Sequence, residues 1–362
     1  MGEPKDKIGI KEYIAIALFM IGTKTTDDIP SMLFDSLQNA GWIAPIISGI
    51  LAILPLFLLL HIAANYQDKS LIDIIYHIFG KFLGFLVLFF LWAIGFFYIV
   101  LDTATYTDII STMYFVKTPA ILIYATLMGV CAYGAKRGLE QIGSVSWSVL
   151  PYLQVSLFLS LILTIGQGNL GFLFPVFGPG EWDVLKESTM KISLYMDFLY
   201  LFMLFPFVKS TKDFKKGTWI AFFLILINLS ITMVSYVMLF DYKSVMLLNY
   251  PYHETIRSIS LGFLTNIETL FFPFWLIASF IKFAAYLYIN IMLFGKLFKI
   301  EHFEYIMPAF ATLIVFLGLL PESPTFAIFD LKAMVGNLAS PLFFFLPIIM
   351  WTLAKFKGDL RK

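Results

Sequence analysis

Eight ionisable side chains sit inside stretches that are otherwise apolar. Lys24, Asp27 and Asp28 fall together in "MIGTKTTDDIPS" (20–31). Asp102 and Asp108 lie in the run 82–112, Asp197 in 189–208, and Glu268 and Lys282 in 262–295. In hydrocarbon a charge at a helix centre costs about 2.5–3.5 kcal/mol on insertion scales, so it persists where it faces a cavity, a partner or a pathway. A carboxylate there can hold an ammonium group or a proton. A lysine can counter an acid, replace a metal cation or touch an anionic ligand. Lys24 or Lys282 pairing with Asp102 or Asp197 as a buried lock is compatible with a cavity lined by the same residues. Asp108, nearer the end of its run, is expected to be solvated, and His61 to lie at headgroup level.

Other chemistry is not written here. There is no H-E-x-x-H, no G-x-S-x-G and no phosphate-binding glycine loop. His61, His77, His253 and His302 all fall at or near expected loops or interfaces and suggest no metal site. Cys131, the single cysteine, lies in an apolar run and reads as a small core residue. An enzyme, a cofactor and a resident metal are therefore not expected, and a net charge of +1 gives no reason to expect nucleic acid.

The elements that must position these residues are membrane helices. Of 362 residues 60% are hydrophobic and 14% charged, with mean hydropathy +0.85; soluble domains are about 45–50% apolar and about 25% charged. Ten spans are read, at 10–37, 41–63, 82–112, 118–135 and 147–166, then 189–208, 216–240, 262–295, 305–321 and 335–355. They form a single integral membrane domain. The N-terminus lacks a signal-peptide layout, so the first span is expected to stay and act as the insertion signal. One set of termini and alternate loops carries 17 Lys and Arg; the opposite set holds six, namely Lys117, Lys186, Lys191, Lys243, Arg257 and Lys332. The positive-inside rule then places both termini in the cytoplasm. "SLIDIIYHIFGKFLG" (70–84), with Leu71, Ile75 and Ile78 on one helical face, reads as an interfacial helix. "FLFPVFGPGEWDVLKES" (172–188) reads as an outer loop, as does "NYPYHETIRSIS" (249–260).

The charges are concentrated in spans 1, 3, 6 and 8, as a polar cavity lined by a subset of helices would require. Span 1 is interrupted. Gly22 permits unusual backbone angles, Thr23, Thr25 and Thr26 can bond freed carbonyls, and Pro30 suits the first turn of a restarted helix, capped by Thr26, Asp27 or Asp28. Irregular backbone at membrane depth survives where it lines a cavity or is buried in protein. Span 6 carries Asp197 near its middle but no glycine at the corresponding point.

Several segments in order resemble the spore germination permease family, the GerAB-like B subunits of nutrient germinant receptors. They are "SLIDIIYHIFGKFLG" (70–84), "KTPAILI" (117–123), "YGAKRGLEQIGSVS" (133–146), "FPVFGPG" (174–180) and "FLTNIETLFFPFWLIASFIKFAAYLY" (263–288). Where that family usually shows Arg–x–Asp this chain reads Asn266 and Glu268, while Lys282 matches the family pattern. The resemblance implies the amino acid–polyamine–organocation superfamily and an all-α LeuT-like fold: a five-plus-five inverted repeat with helices 1 and 6 broken. It also implies a place in the spore inner membrane beside an A subunit and a C lipoprotein subunit, with an amino acid or similar nutrient as ligand.

The resulting expectation is a ligand site at the span 1 break, against spans 3, 6 and 8. Backbone groups at Gly22 and Thr23 would take a carboxylate, with Lys24, Thr25, Thr26 and Asp27 around them. Asp102 or Asp197 would take an ammonium, and Tyr98, Tyr106, Tyr195 and Phe198 would form walls. Lys24, Lys282 and Glu268 are the expected ion-site or coupling residues. The rival expectation is a proton-coupled amino acid transporter using the same site.

Overall fold

The structure is a computed structural model describing residues 7–67, 69–259, 268–321, 323 and 326–360. Among these residues the regular structure is helical, apart from an isolated parallel bridge between Ile8 and Val208. Asn266 and the start of the expected eighth span lie outside the described residues.

Among the described residues six helices are long and apolar enough to cross a membrane: Ile29–Asn65, Leu71–Tyr114, Leu139–Thr164, Thr211–Val245, Phe271–Leu297 and Asp330–Phe356. Ala120–Lys136, Ile192–Phe202 and Phe303–Gly318 are shorter apolar helices. Span 8 (Glu268–Leu297) is the most enclosed, packing on spans 3, 4 and 5. Large apolar side chains such as Phe57, Phe82, Phe90 and Ile162 remain exposed on the outside, as lipid-facing positions do.

Span 1 is built in pieces. An α-helix at Ile10–Ala17 widens into a π turn at Leu18–Gly22 and tightens to a 3-10 turn at Thr23–Thr25. The helix restarts at Ile29–Leu37 with Pro30 in its first turn. Proline lacks only an N–H that the first turn does not use. Span 6 is interrupted as well: a helix at Glu181–Met190, a 3-10 turn at Ile192–Tyr195, then a helix at Asp197–Phe202. Its first half thus begins at Glu181, within the stretch read from sequence as a loop. "EWDVLKESTM" is too polar to register as a membrane segment.

Two other positions shape the chain. Gly80, with φ +78°, bends the helix Leu71–Ile109 between the segment before it and span 3; glycine takes that angle without steric cost. Leu71, Ile75 and Ile78 share a face as expected, and that face is buried against protein. A π turn at Ala327–Lys332 leads into span 10, Ala333–Phe356. Lys332, assigned from sequence to an outer loop, is therefore inside the bundle, 2% exposed.

Candidate functional site

The span 1 break keeps its polar backbone satisfied. Thr23 Oγ1 donates to Phe19 O (2.7 Å), Thr25 Oγ1 to Gly22 O (3.0 Å) and Thr26 Oγ1 to Thr23 O (2.8 Å). The restarted helix receives Asp27 Oδ1 on the Ile29 N–H at 2.9 Å. Asp28, at the N-cap position, makes no capping bond. Spans 7 and 8 add hydroxyl and indole donors: Tyr236 to Thr25 O (2.7 Å) and Trp275 Nε1 to Thr26 Oγ1 (3.0 Å).

Two groups of charges grow from this break. In the first, Lys24 Nζ donates to Asp197 Oδ2 and, at 2.9 Å, to Leu194 O, a carbonyl freed by the span 6 break. Tyr286 donates to the other Asp197 oxygen at 2.6 Å. The second group is wholly buried. Lys282 Nζ lies 2.7 Å from Asp102 Oδ2 and 3.5 Å from Asp27 Oδ2, and donates to Tyr106 Oη at 3.1 Å. Lys332 Nζ donates to Asp28 and, at 2.8 Å, to Asp102 Oδ1. Asp102 is thus held by a different lysine on each oxygen, one from span 8 and one from the start of span 10. Both sequence-level pairings, Lys24 with Asp197 and Lys282 with Asp102, are present together.

Asp27, Asp28 and Asp102 bring carboxylate oxygens within 4.8 Å of one another, a spacing that suits a cation. Two ammonium groups already lie among them. Removing one partner from such a buried set leaves an uncompensated charge and costs about 3–5 kcal/mol.

A cleft reaches this charge system between spans 1, 3, 6 and 10. Lys24, Asp197, Lys332 and Tyr98 line its polar part, and Met32, Leu33, Ile94 and Val335 are among its apolar walls. The Tyr98 ring lies 5.4 Å from Lys24 Nζ and 5.6 Å from Lys332 Nζ. Its hydroxyl is buried without a hydrogen-bond partner.

The expected residues are placed unevenly. Lys24, Asp27, Tyr98, Asp102, Tyr106, Asp197 and Lys282 converge, although Tyr106 sits behind the cleft, stacked on Trp275 at 5.0 Å. Gly22, Thr23, Thr25 and Thr26 line a different, smaller cavity with Gln154, Asn228 and Trp275. Tyr195 and Phe198 turn toward Phe222 of span 7, and the Tyr195 hydroxyl donates to Pro45 O at 2.8 Å. Glu268 stands at the start of its helix, paired with Arg257 at 3.1 Å and apart from the cluster. Asp108 is half-buried and accepts from Tyr250 at 2.5 Å. Above Trp275, His253 packs edge-on at 4.6 Å and shares a 2.8 Å hydrogen bond with Tyr114. Burial pushes this imidazole, in the connection between spans 7 and 8, down to about 3.

Sequence reasoning missed Lys332, Tyr286 and Leu194 O. The available signal for Lys332 was its place just before an apolar run, together with a buried acid lacking a base.

Known proteins share this architecture. A solved structure described as "Crystal structure of MhsT in complex with L-phenylalanine" superposes with TM-score 0.66 at 13% identity, covering 97% of this chain and 99% of the other. That likeness establishes the LeuT-like fold. Spore germination protein YndE of Bacillus subtilis (strain 168) is 22% identical over 99% of both chains. Spore germination protein KB of the same organism is 26% identical over 82% of this chain and 80% of its own length. The family model described as "Spore germination protein" matches residues 10–327. An integral membrane bundle of this fold, matched along nearly its whole length by germination proteins, belongs to the spore germination permease family.

Proposed function

We propose that this chain is the nutrient-sensing membrane subunit of a spore germinant receptor. It binds a small amino acid or a similar nutrient in the cleft between spans 1, 3, 6 and 10 and passes a conformational signal to partner subunits. The observation carrying this reading is that the breaks of spans 1 and 6 meet on the wall of an open cleft, joined by Lys24, Asp197 and Leu194 O. Discontinuous helices that place freed backbone groups and charges at one point are how transporters of inverted-repeat design build ligand sites. A ligand signals only through differential affinity for two states, and rocking of one set of spans against the other supplies those states. The resemblance supports an A subunit and a C lipoprotein as partners and the spore inner membrane as location. With Lys332 buried, the set of loops opposite the termini holds five basic residues against 17, which supports cytoplasmic termini.

The test is ligand-induced thermal stabilisation of the purified chain across a panel of amino acids and related nutrients, repeated with Lys24→Met, Asp102→Asn and Asp197→Asn. Stabilisation by a ligand that all three substitutions leave unchanged would place the site elsewhere.

One observation favours a second reading, a proton-coupled transporter. Four buried aspartates (27, 28, 102 and 197) face three buried lysines (24, 282 and 332), and one Asp28 oxygen has no hydrogen-bond partner. A proton would balance that excess. Net uptake of labelled amino acid by proteoliposomes containing this chain alone distinguishes transport from sensing.

A further inference from the structure

The charges of the cleft do not suit a zwitterion evenly. Its lining carries three lysines, Lys24, Lys191 and Lys332, and one acid, Asp197. The two groups best able to hold a ligand's ammonium are Asp197 and the freed carbonyl of Leu194. Lys24 Nζ donates to both of them, and Tyr286 takes the second oxygen of Asp197. The Asp197 side chain is only 6% exposed. A ligand ammonium entering here would have to lie against Lys24, where like charges repel. Asp102, the other carboxylate considered for this role, has a lysine on each oxygen and is fully buried.

Donors, by contrast, border the cleft, although the Lys24 and Lys332 side chains are themselves 3% and 2% exposed. An ammonium carries three N–H groups, and Lys24 directs two of them to Asp197 and Leu194 O. Lys332 directs two to Asp28 and Asp102 and lies 3.9 Å from Asp27 Oδ2. The buried Tyr98 hydroxyl, which has no hydrogen-bond partner, belongs to the ring that lies beside both lysines. These donors are flanked by Met32, Leu33, Ile94 and Val335, with no further acid.

We propose that Lys24 is a tethered ammonium filling the cation subsite of the cleft, so that the ligand is recognised as a carboxylate with an apolar tail and needs no amino group of its own. This rests on the cleft being the ligand site, as set out above. An amino acid and its deaminated counterpart then bind alike, and the amine lacking the carboxylate does not bind. Lys24 is the specificity-determining residue, because it substitutes for half of a zwitterion. The carboxylate docks on Lys24, Lys332 and Tyr98 through charge-assisted hydrogen bonds, and Lys191 adds positive potential within the same cleft.

The experiment uses the full-length chain in lipid nanodiscs and three matched series. These are alanine, propionate and ethylamine; leucine, 4-methylpentanoate and 3-methylbutylamine; phenylalanine, 3-phenylpropionate and 2-phenylethylamine. Dissociation constants are measured by calorimetry. In the series that binds, the amino acid and the deaminated acid are expected to agree within about threefold, with no heat from the amine. Lys24→Met, which reopens Asp197 and Leu194 O, is expected to turn this into a preference of about tenfold for the amino acid. An amino acid that binds the unsubstituted chain about tenfold tighter than its deaminated counterpart, or an amine that binds as well as either, overturns the proposal while leaving the site in place. Absence of binding by every compound overturns the cleft as the ligand site and this inference with it. The series on the unsubstituted chain decides the matter even where Lys24→Met fails to fold.

Discussion

The two helix breaks face the same problem and solve it with different materials. The span 1 break draws largely on its own residues: three threonines bond back to Phe19, Gly22 and Thr23, and Asp27 accepts from the Ile29 N–H, with Tyr236 and Trp275 adding bonds from outside. The span 6 break has little of its own and borrows. Lys24 satisfies Leu194 O. Ser340 of span 10 fills the gap, donating to Met190 O at 2.6 Å and accepting from the Ser193 N–H at 3.2 Å. A break supplied largely from its own residues depends less on its neighbours. A borrowed one depends on the positions of spans 1 and 10 and is the better placed of the two to report their movement.

The largest test of this contrast is the buried cluster behind span 1. Lys332→Met removes the ammonium partner of Asp28 and half the partners of Asp102, and is expected to cost about 3–5 kcal/mol. Thermal midpoints of purified protein should fall sharply, with partial recovery when Asp28→Asn is added; no recovery would mean that the loss is one of packing. Next is Ser340→Ala, which leaves two backbone groups at the span 6 break unpaired and is expected to cost about 1–3 kcal/mol. Thr25→Ala in span 1 should cost less, because its neighbours remain. Equal losses in the two variants would end the distinction between supplied and borrowed breaks.

A pH series sharpens the comparison further. His253 sits on Trp275, which holds Thr26, and its folded value near 3 lies below the ordinary 6.5. The unfolded chain therefore protonates first. The stability that neutral His253 contributes is complete above pH 6.5 and declines as pH falls toward 3. His253→Gln should flatten that slope in acid unfolding, and an unchanged slope would show that acid acts elsewhere. The smallest effect is expected at the partly exposed contact of Tyr66, His77 and Asp359, where the Tyr66 hydroxyl and then His77 hold the Asp359 carboxyl below its usual range. Asp359→Asn should shift stability by less than about 1 kcal/mol.

The same contrast explains what the sequence disclosed. The span 1 break was legible because glycine, threonines, aspartates and a proline stand side by side in an apolar run, so its support is local. The span 6 break was expected only from the family resemblance and not from its own residues, because its support lies 170 and 147 residues away in Lys24 and Ser340. Its leading helix also looked like loop, since Glu181–Met190 includes Glu181, Asp183, Lys186 and Glu187. Lys332 escaped for a related reason: next to Asp330 a lysine reads as a solvated loop charge, and only the fold brings Asp28 and Asp102 to it. Tyr195 and Phe198 were assigned to the cleft by adjacency to Asp197, but the turn ending at Tyr195 points them at span 7.

Asp28 and Lys332 are 304 residues apart. A ribosome delivers the acid with the first span and its base only with the last. Among the described residues no earlier lysine is ion-paired with Asp28. The start of the final span therefore supplies the base that pairs with Asp28 of the first. Chains cut short before 332 should be recognised by membrane quality control as incomplete, so that only full-length copies accumulate.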